Sequence, residues 1–283
     1  MQLVTFEHNG SAIPGVVLGD RILGLQAAGF STMLHLIQGG SGALERLKSW
    51  LNVHDEGAVV PLAEARLLAP LSNPPKIICV GLNYRDHARE CNAEIPAVPT
   101  LFSKFASAII GPGEAIVLPK SSKEPDYEAE LAVVIGPGGR YISKGRWRDH
   151  VFGYTNLNDV SARDYQAATS QWMVGKTFDT FAPLGPAIVT ADEINDPQVL
   201  DIQMVINGEV LQSSNTGQMV FGIPELIEYI SSVITLEPGD IISTGTPAGV
   251  GEARTPPRWL RPGDDVVVRI SGIPELHSQV KAE

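Results

Sequence analysis

The segment Asp126-Tyr127-Glu128-Ala129-Glu130-Leu131-Ala132-Val133-Val134-Ile135 joins an acidic pair to an apolar run. The alternation and the valine and isoleucine content of this run predict a β-strand that enters the core. Side chains two residues apart on a strand point to the same side, so Glu128 and Glu130 should share a face, with their Cα atoms about 6.5 Å apart. Two buried carboxylates without a partner repel each other at that distance, so we expect a cation or water between them.

A third acid of the same kind follows in the segment Asn156-Leu157-Asn158-Asp159-Val160-Ser161-Ala162-Arg163-Asp164. Three carboxylates from separate segments suit octahedral Mg²⁺ or Mn²⁺, with positions left for substrate and water. They suit Zn²⁺ poorly, because no cysteine or pair of histidines joins them. The alternative is that Glu128 and Glu130 lie on a solvated strand face and that Asp159 only caps a helix.

Length, charge and cysteine content restrict the class of protein. The chain has 283 residues, which fits one or two domains. Its net charge of −11 argues against nucleic acid as a partner, because no basic stripe or run offsets the acidity. Cys79 and Cys91 indicate a reducing compartment without a disulfide framework. Since the sequence also shows neither a secretion signal nor an apolar stretch of ~20 residues, we expect a soluble cytoplasmic protein that does not enter a membrane.

The pattern along the chain predicts a small N-terminal domain at residues 1–72 and a catalytic domain at residues 73–283. The first domain combines short strands at Leu3–Phe6 and Gly15–Leu18 with two amphipathic helices, one from Ser31 and one at Leu44–Leu51. The connector Leu71–Pro75 follows it. The larger part is rich in strands and has few helices. No regular alternation of strand and helix is present, so the pattern predicts the α+β class or a mixed β fold.

Several elements of the larger domain have clear signals. Ile77–Val80 reads as a buried strand, and Asn207-Gly208 predicts a type I′ hairpin between flanking strands. A helix is expected after Asp159, and another from Gly222-Ile223-Pro224, where proline suits the first turn.

Two further segments carry candidate catalytic side chains. If the residues after Ile77–Val80 form a helix, His87 and Glu90 share one face, and the carboxylate can orient the imidazole as a general base. An incidental surface pair would have the same spacing. Lys176 lies among apolar and turn-forming residues, so it either extends to solvent or points into a polar site.

Taken together, these segments resemble the fumarylacetoacetate hydrolase superfamily over about residues 74–270. The motifs that carry the resemblance occur in the order of that family; they are Asn83-Tyr84, His87, Glu90, Glu128-x-Glu130, Asn158–Asp164, Gly175-Lys176, Asp179, Pro183, Pro238-Gly239-Asp240, Thr244–Pro247 and Gly249-Val250-Gly251. The stretch Val205–Gly251 looks most like the subgroup called fumarylacetoacetate hydrolase domain-containing protein 2. The segment at residues 1–72 resembles the small N-terminal domain of many bacterial members.

The resemblance implies a mixed β-sandwich roll with a small N-terminal α/β domain, and a homodimer. It implies Mg²⁺ or Mn²⁺ held by Glu128, Glu130 and Asp159. It also implies that His87 and Glu90 lie in a lid ordered by substrate. The remaining site residues that it indicates are Lys176 as a catalytic group and Arg163, Thr246 and Tyr84 as substrate-binding groups.

The leading functional hypothesis is a metal-dependent hydrolase that cleaves a carbon–carbon bond in acylpyruvate-type or related diketo acids, through an enolate that the metal stabilises. In this hypothesis His87, oriented by Glu90, activates water and Lys176 stabilises the oxyanion. Family hydrolases tend to carry the histidine and glutamate, whereas some isomerases lack them. The alternatives are an oxaloacetate decarboxylase or tautomerase, and an isomerase of 2-hydroxyhepta-2,4-diene-1,7-dioate. A catalytically silent binding protein on the same fold is the alternative from another class.

Overall fold

The computed structural model describes residues 1–53 and 57–283. The strands are β1 (Gln2–His8), β2 (Ser11–Leu18), β3 (Arg21–Gly24), β4 (Val59–Pro61), β5 (Leu67–Leu68), β6 (Ile77–Gly81), β7 (Thr100–Lys104), β8 (Ile109–Ile110), β9 (Ala115–Leu118), β10 (Pro125–Asp126), β11 (Ala129–Ile135), β12 (Val151–Asn158), β13 (Ser161–Ala162), β14 (Ala182–Thr190), β15 (Asp201–Ile206), β16 (Glu209–Asn215), β17 (Ile241–Ser243), β18 (Asp265–Ile270) and β19 (Ile273–Ala282). The α-helices are α1 (Met33–Gln38), α2 (Gly40–Leu51), α3 (Arg85–Glu90), α4 (Arg163–Gln166), α5 (Met173–Lys176) and α6 (Ile223–Val233).

A large mixed sheet runs in the order β4-β3-β2-β1-β14-β12-β11-β17-β6-β7, and a second sheet runs in the order β16-β15-β18-β19-β9. The strand β11 lies inside the large sheet and is buried on both faces, which explains its nearly continuous apolar sequence. Leu131 and Val133 belong to the core shared with the second sheet. Ala132 and Val134 belong to the core under α1 and α2. This packing confirms the predicted α+β class and the β-sandwich roll.

The segment at residues 1–72 is attached to the rest of the chain through the large sheet. The strand β1 pairs antiparallel with β14, with Leu3 opposite Ile188. Leu36 of α1 and Leu47 of α2 pack in one core with Ile77 and Val134. The predicted strands and helices of this segment are present, while the division of the chain at residue 72 stays a prediction.

The predicted hairpin is confirmed, because Asn207 and Gly208 have φ values of 54° and 81°, as a type I′ turn requires. The strand β6 and the helix α6, with Pro224 in its first turn, are also confirmed. The helix expected after Asp159 is wrong in extent. The strand β13 comes first and pairs with β10, which keeps the backbone extended until the four-residue helix α4 begins.

None of the described helices is both long enough and apolar enough to span a membrane.

Candidate active site

Three buried carboxylates meet where β11 begins and β12 ends. Glu128, Glu130 and Asp159 are 5%, 1% and 0% exposed, and one oxygen from each lies within 4.8 Å of the others. The antiparallel pairing of β11 with β12 causes this convergence, because the Asp159 amide donates to the Glu128 carbonyl oxygen at 2.9 Å. The acids therefore do not lie on a solvated face, and Asp159 does not cap a helix.

Lys176, at the end of α5, bridges two of these acids. Its Nζ lies 2.7 Å from Glu128 Oε2 and 3.1 Å from Asp159 Oδ2. The ammonium also lies 5.1 Å from the centre of the Phe102 ring, within the range of a cation–π contact. Burial alone would lower the pKa of Lys176, but the charges of Asp159 and Glu128 outweigh burial and raise it. Lys176 therefore points into a polar site and not to solvent.

Arg163 holds Glu128 from the other side. Its Nη2 lies 2.6 Å from Glu128 Oε1, and its Nε donates to Asp126 Oδ2 at 2.9 Å. Burial alone would raise the pKa of Glu128, but Lys176 and Arg163 overcome this effect and lower the pKa to about 2. Glu128 is thus held as a carboxylate.

Glu130 has a different environment. Its Oε2 accepts hydrogen bonds from the Gly245 amide at 3.0 Å and from the Ser243 hydroxyl. No ion pair of Glu130 is present among the described residues. Burial, and then the charges of Asp159 and Glu128, raise its pKa well above the ordinary value. A divalent cation would relieve this repulsion, and carboxylate oxygens are the donors that hard cations prefer, so the acidic triad can hold a metal ion.

The helix α3 places His87 over these acids. His87 Nδ1 lies 3.2 Å from Glu90 Oε2, and Glu90 Oε1 accepts a hydrogen bond from the Gly249 amide at 2.8 Å. His87 is only 9% exposed, so the pair is not an incidental surface contact. Burial alone would lower the pKa of His87, but the contacts with Cys91 and Glu90 raise it to about 9.

A small cleft, with a cavity volume of about 70 Å³, brings most of the predicted residues together. It is lined by Val80, Gly81, Leu82, His87, Phe102, Glu128, Glu130, Arg163, Gln166, Trp172, Lys176 and Thr246. Thr246 Oγ1 donates to the Ala129 carbonyl oxygen at 3.0 Å and accepts from Gln212 Nε2 at 2.8 Å. Tyr84 packs in the core without exposed surface and is not part of this lining, so its contact with substrate stays a prediction.

Lys104 is a site residue that the sequence patterns did not reveal. Its Nζ donates to Asp159 Oδ1 at 2.6 Å and to the Val160 carbonyl oxygen at 3.1 Å. The side chain is fully buried and fixes the orientation of Asp159. The local signal was weak, because Lys104 is the last residue of β7 and the strand before it is half polar, as the sequence Thr100-Leu101-Phe102-Ser103 shows.

Comparison with known proteins agrees with this site. The model of the family described as "Fumarylacetoacetate (FAA) hydrolase C-terminal" matches residues 76–281. The chain belongs to the fumarylacetoacetate hydrolase family. It is therefore an enzyme of that family, as the order of the motifs had predicted.

Three family members illustrate its relationships. The "Oxaloacetate tautomerase FAHD2A, mitochondrial" of Bos taurus is 49% identical over 251 residues, which cover 88% of this chain and 79% of the relative. The maleylpyruvate hydrolase of Sphingobium sp. SYK-6, solved with manganese(II) ion and pyruvate, is 34% identical with a TM-score of 0.83, covering 100% of this chain and 99% of that one. The 2-hydroxyhepta-2,4-diene-1,7-dioate isomerase of Mycobacterium marinum is 33% identical with a TM-score of 0.79, at the same coverages.

The names of these relatives correct the cytoplasmic location that we expected from the sequence. Curated relatives at 45–49% identity, including the bovine protein, are mitochondrial. The expectation failed because few cysteines and the lack of a secretion signal indicate only that thiols stay reduced, and the cytoplasm is not the only compartment with that property.

Proposed function

We propose that this enzyme is an oxaloacetate tautomerase that interconverts the enol and keto forms with Mg²⁺ or Mn²⁺ as its cofactor. The observation that carries the proposal is the 49% identity to an oxaloacetate tautomerase over 88% of the chain. The sequence patterns favoured a hydrolase, which becomes the second candidate. The tautomerase, an alternative at that point, becomes the first.

The substrate is a small dianion, and the cleft offers cationic groups to it. Arg163 and Lys176 line the cleft and provide local positive charge in a chain whose net charge is −11. The small size of the cleft, about 70 Å³, favours a small acid over a larger substrate.

The acidic triad completes the site. Glu128, Glu130 and Asp159 would hold the cation. When bound, the cation would attract the oxygen atoms of a 2-oxo acid and stabilise the negative charge that develops on them. Lys104 and Lys176 keep Asp159 in position for this role through contacts at 2.6 and 3.1 Å.

Conversion of the enol into the ketone requires one proton to be added at C3 and one to be lost from the oxygen at C2. His87, whose pKa of about 9 keeps it charged at neutral pH, donates the proton to C3. Glu90, fixed by Gly249, orients the imidazole. Lys176 donates a hydrogen bond to the C2 oxygen as its proton leaves to water, and water then returns a proton to His87. The reverse sequence forms the enol, and no carbon–carbon bond breaks.

Hydrolysis of an acylpyruvate is the second candidate. It is favoured by the presence of the His87–Glu90 pair and by the 34% identity to a maleylpyruvate hydrolase. In that reaction His87 would remove a proton from water, a role that requires the neutral imidazole.

One assay distinguishes the two reactions. Purified protein with Mg²⁺ is mixed with the enol form of oxaloacetate, and separately with acetylpyruvate, fumarylpyruvate and maleylpyruvate. Ultraviolet absorbance follows the enol, while release of pyruvate and of carbon dioxide is measured in the same samples. We expect rapid loss of the oxaloacetate enol without either product. Turnover of an acylpyruvate to pyruvate, with no acceleration of oxaloacetate tautomerisation, would assign the hydrolase instead.

A further inference from the structure

We propose that His87, Glu90 and Cys91 form a second, inhibitory metal site on the lid, selective for Zn²⁺. The three residues lie together at the end of α3, outside the acidic triad. The inhibitory part of this proposal rests on the proposed role of His87 in proton transfer, whereas the binding part does not.

Two of the three distances between the ligand atoms are close to those of a zinc site. His87 Nδ1 lies 3.2 Å from Glu90 Oε2 and 3.7 Å from Cys91 Sγ, and the three atoms lie within 4.8 Å of one another. In a tetrahedral site, Zn–N and Zn–O bonds of about 2.0–2.1 Å and a Zn–S bond of about 2.3 Å place nitrogen about 3.3 Å from oxygen and about 3.6 Å from sulfur. Cys91 Sγ also lies 3.9 Å from His87 Nε2, so the thiol faces the imidazole ring, and the Cys91 side chain must rotate toward Nδ1 to share an ion with Glu90.

The helix explains this arrangement. Residues at positions i, i+3 and i+4 lie on one face of a helix, and His87, Glu90 and Cys91 have this spacing. The Gly249 amide donates to both oxygens of Glu90, to Oε1 at 2.8 Å and to Oε2 at 3.0 Å, and this fixes the carboxylate with Oε2 facing the histidine. Because Cys91 and Glu90 are exposed, an ion can reach the site from solvent without passing through the cleft.

The two metal sites differ in the chemistry of their donors. The triad offers only carboxylate oxygens, which suit Mg²⁺ and Mn²⁺. The lid offers an imidazole, a thiolate and a carboxylate, which is a donor set typical of Zn²⁺. Excess Mg²⁺ should therefore fill the triad and leave the lid site free for Zn²⁺.

Occupation of the lid site would stop proton transfer. Zn²⁺ uses the lone pair of His87 Nδ1 and displaces the proton that the imidazole carries there, while the Cys91 thiol loses its proton to solvent. The imidazole is then fixed to Glu90 and Cys91, and its remaining Nε2–H is a much weaker acid than that of the imidazolium, so it no longer donates a proton to C3 effectively. Zn²⁺ should consequently inhibit the enzyme at saturating Mg²⁺.

Metal binding is tested first, without reference to activity. Zn²⁺ is titrated by calorimetry into protein in excess Mg²⁺ under a non-chelating reductant, and Co²⁺ is used as a spectroscopic probe for a thiolate ligand. The variants are Cys91→Ser and Cys91→Ala, with Cys79→Ala as the control that removes the other thiol. We expect both Cys91 variants to lose at least tenfold in Zn²⁺ affinity, as for a lost ligand, and to lose the Co²⁺–thiolate absorption. Cys79→Ala should retain both. Equal affinity in all four proteins would overturn the site.

Inhibition is measured next, as the ratio of rates with and without Zn²⁺ within each protein. At one Zn²⁺ concentration, we expect this ratio to be at least tenfold below one for the unsubstituted protein and for Cys79→Ala. At the same concentration, the ratio should stay near one for the Cys91 variants. Zn²⁺ binding that depends on Cys91 but leaves the rate unchanged would support the metal site and contradict the proton-transfer role of His87. Inhibition that is equal in the Cys91 variants would place Zn²⁺ in the triad and overturn the lid proposal.

Discussion

At the scale of single residues, the acids of the triad are not equivalent. Glu128 has two cationic partners, Lys176 and Arg163, whereas Glu130 has hydrogen bonds from Ser243 and Gly245 and an elevated pKa. The same substitution should therefore have opposite effects at the two positions. A glutamine oxygen at position 130 can still accept both hydrogen bonds, and it removes a carboxyl group whose ionised form the metal-free protein disfavours.

We predict that Glu130→Gln keeps or raises the free energy of unfolding of the metal-free protein, while Glu128→Gln lowers it. The expected loss for Glu128→Gln is about 1.5–3 kcal/mol, the scale of a hydrogen bond to a charged group in a buried site. Both variants should lose at least tenfold in Mg²⁺ affinity. Urea unfolding without metal and calorimetric Mg²⁺ titration measure the two quantities. Equal destabilisation of both variants would show that Glu130 has a cationic partner in solution.

His87 should act in turnover and not in metal binding. We predict that His87→Gln retains Mg²⁺ affinity and loses roughly 10²-fold or more in kcat for tautomerisation, the usual scale for general acid–base catalysis. Glu275 pairs with His277 at 3.1 Å on the surface far along the chain, so His277→Gln is the matched control and should keep full activity. A fully active His87→Gln enzyme would remove His87 from the mechanism.

The raised pKa of His87 also predicts a pH dependence. Its charged form, the proton donor, is present below a pKa of about 9 and is lost as the pH rises through that value. The rate of enol-to-keto conversion at saturating Mg²⁺ should therefore fall above pH about 9, and the residual rate of His87→Gln should not show this step. A rate that rises through the same range would indicate that neutral His87 acts as a base, as the hydrolytic reaction requires.

The residue scale also shows what the sequence could reveal about the site. The spacing of Glu128 and Glu130 was enough to place both side chains on one face, because strand geometry is local. The role of Lys104 could not be derived in this way. It depends on the packing of β7 against the end of β12, which brings together residues 55 positions apart in the chain.

At the scale of elements, the outer part of the lid is held by polar contacts at its rim, while Tyr84 and Ala88 anchor its base in the core. Arg85 donates to the Met219 carbonyl oxygen, Asp86 accepts from the Ser214 hydroxyl, and Glu90 accepts from the Gly249 amide. Such exposed or half-buried hydrogen bonds contribute little net stability, so a segment that depends on them opens at low cost.

We predict that residues 83–94 exchange amide hydrogen rapidly without ligand and with Mg²⁺ alone, and slowly with Mg²⁺ plus oxalate. When oxalate is bound, His87 of the closed segment can contact the anion, and this contact stabilises the closed state. Ser214→Ala should increase exchange of this segment, whereas Ser213→Ala, which affects a neighbouring exposed hydroxyl, should not. Hydrogen exchange with mass spectrometry measures both effects. Equal protection in all ligand states would make the segment a fixed wall.

The shortened helix after Asp159 illustrates the limit of local patterns. Ser161 and Ala162 are drawn into extended pairing with Asp126 and Pro125, residues that precede them by more than 30 positions. Local propensity did not contain this information, since strand pairing over such distances is a tertiary effect.

At the scale of the whole molecule, the segment at residues 1–72 completes a core that the remainder also uses. Leu36, Leu47 and Ile188 belong to one apolar cluster, and β1 covers the edge of β14. The sequence predicted the elements on either side of residue 72, while the boundary itself stays a prediction. It could not show that they share a sheet, because pairing across a boundary has no local signal. The predicted homodimer stays a prediction.

We predict that a fragment of residues 73–283 does not fold stably by itself. Its separation from the N-terminal segment would expose Ile77, Val134 and Ile188 and leave unpaired the edge of β14 that β1 covers, which favours aggregation. Circular dichroism and thermal unfolding of the fragment, beside the full chain, provide the test. A cooperative transition at the temperature of the full chain would show that the division at residue 72 separates two independent domains.

The hydrogen bond from the Asp159 amide to the Glu128 carbonyl oxygen ties the ligand set to the register of β11 against β12. A slip of one residue would reverse the direction of every side chain on the shifted strand, and the three acids would no longer meet. Only the correctly aligned hairpin can bind the dication, so metal binding selects against misaligned chains by mass action. Insertions and deletions should therefore be tolerated in the connection at residues 136–150 and rejected within either strand.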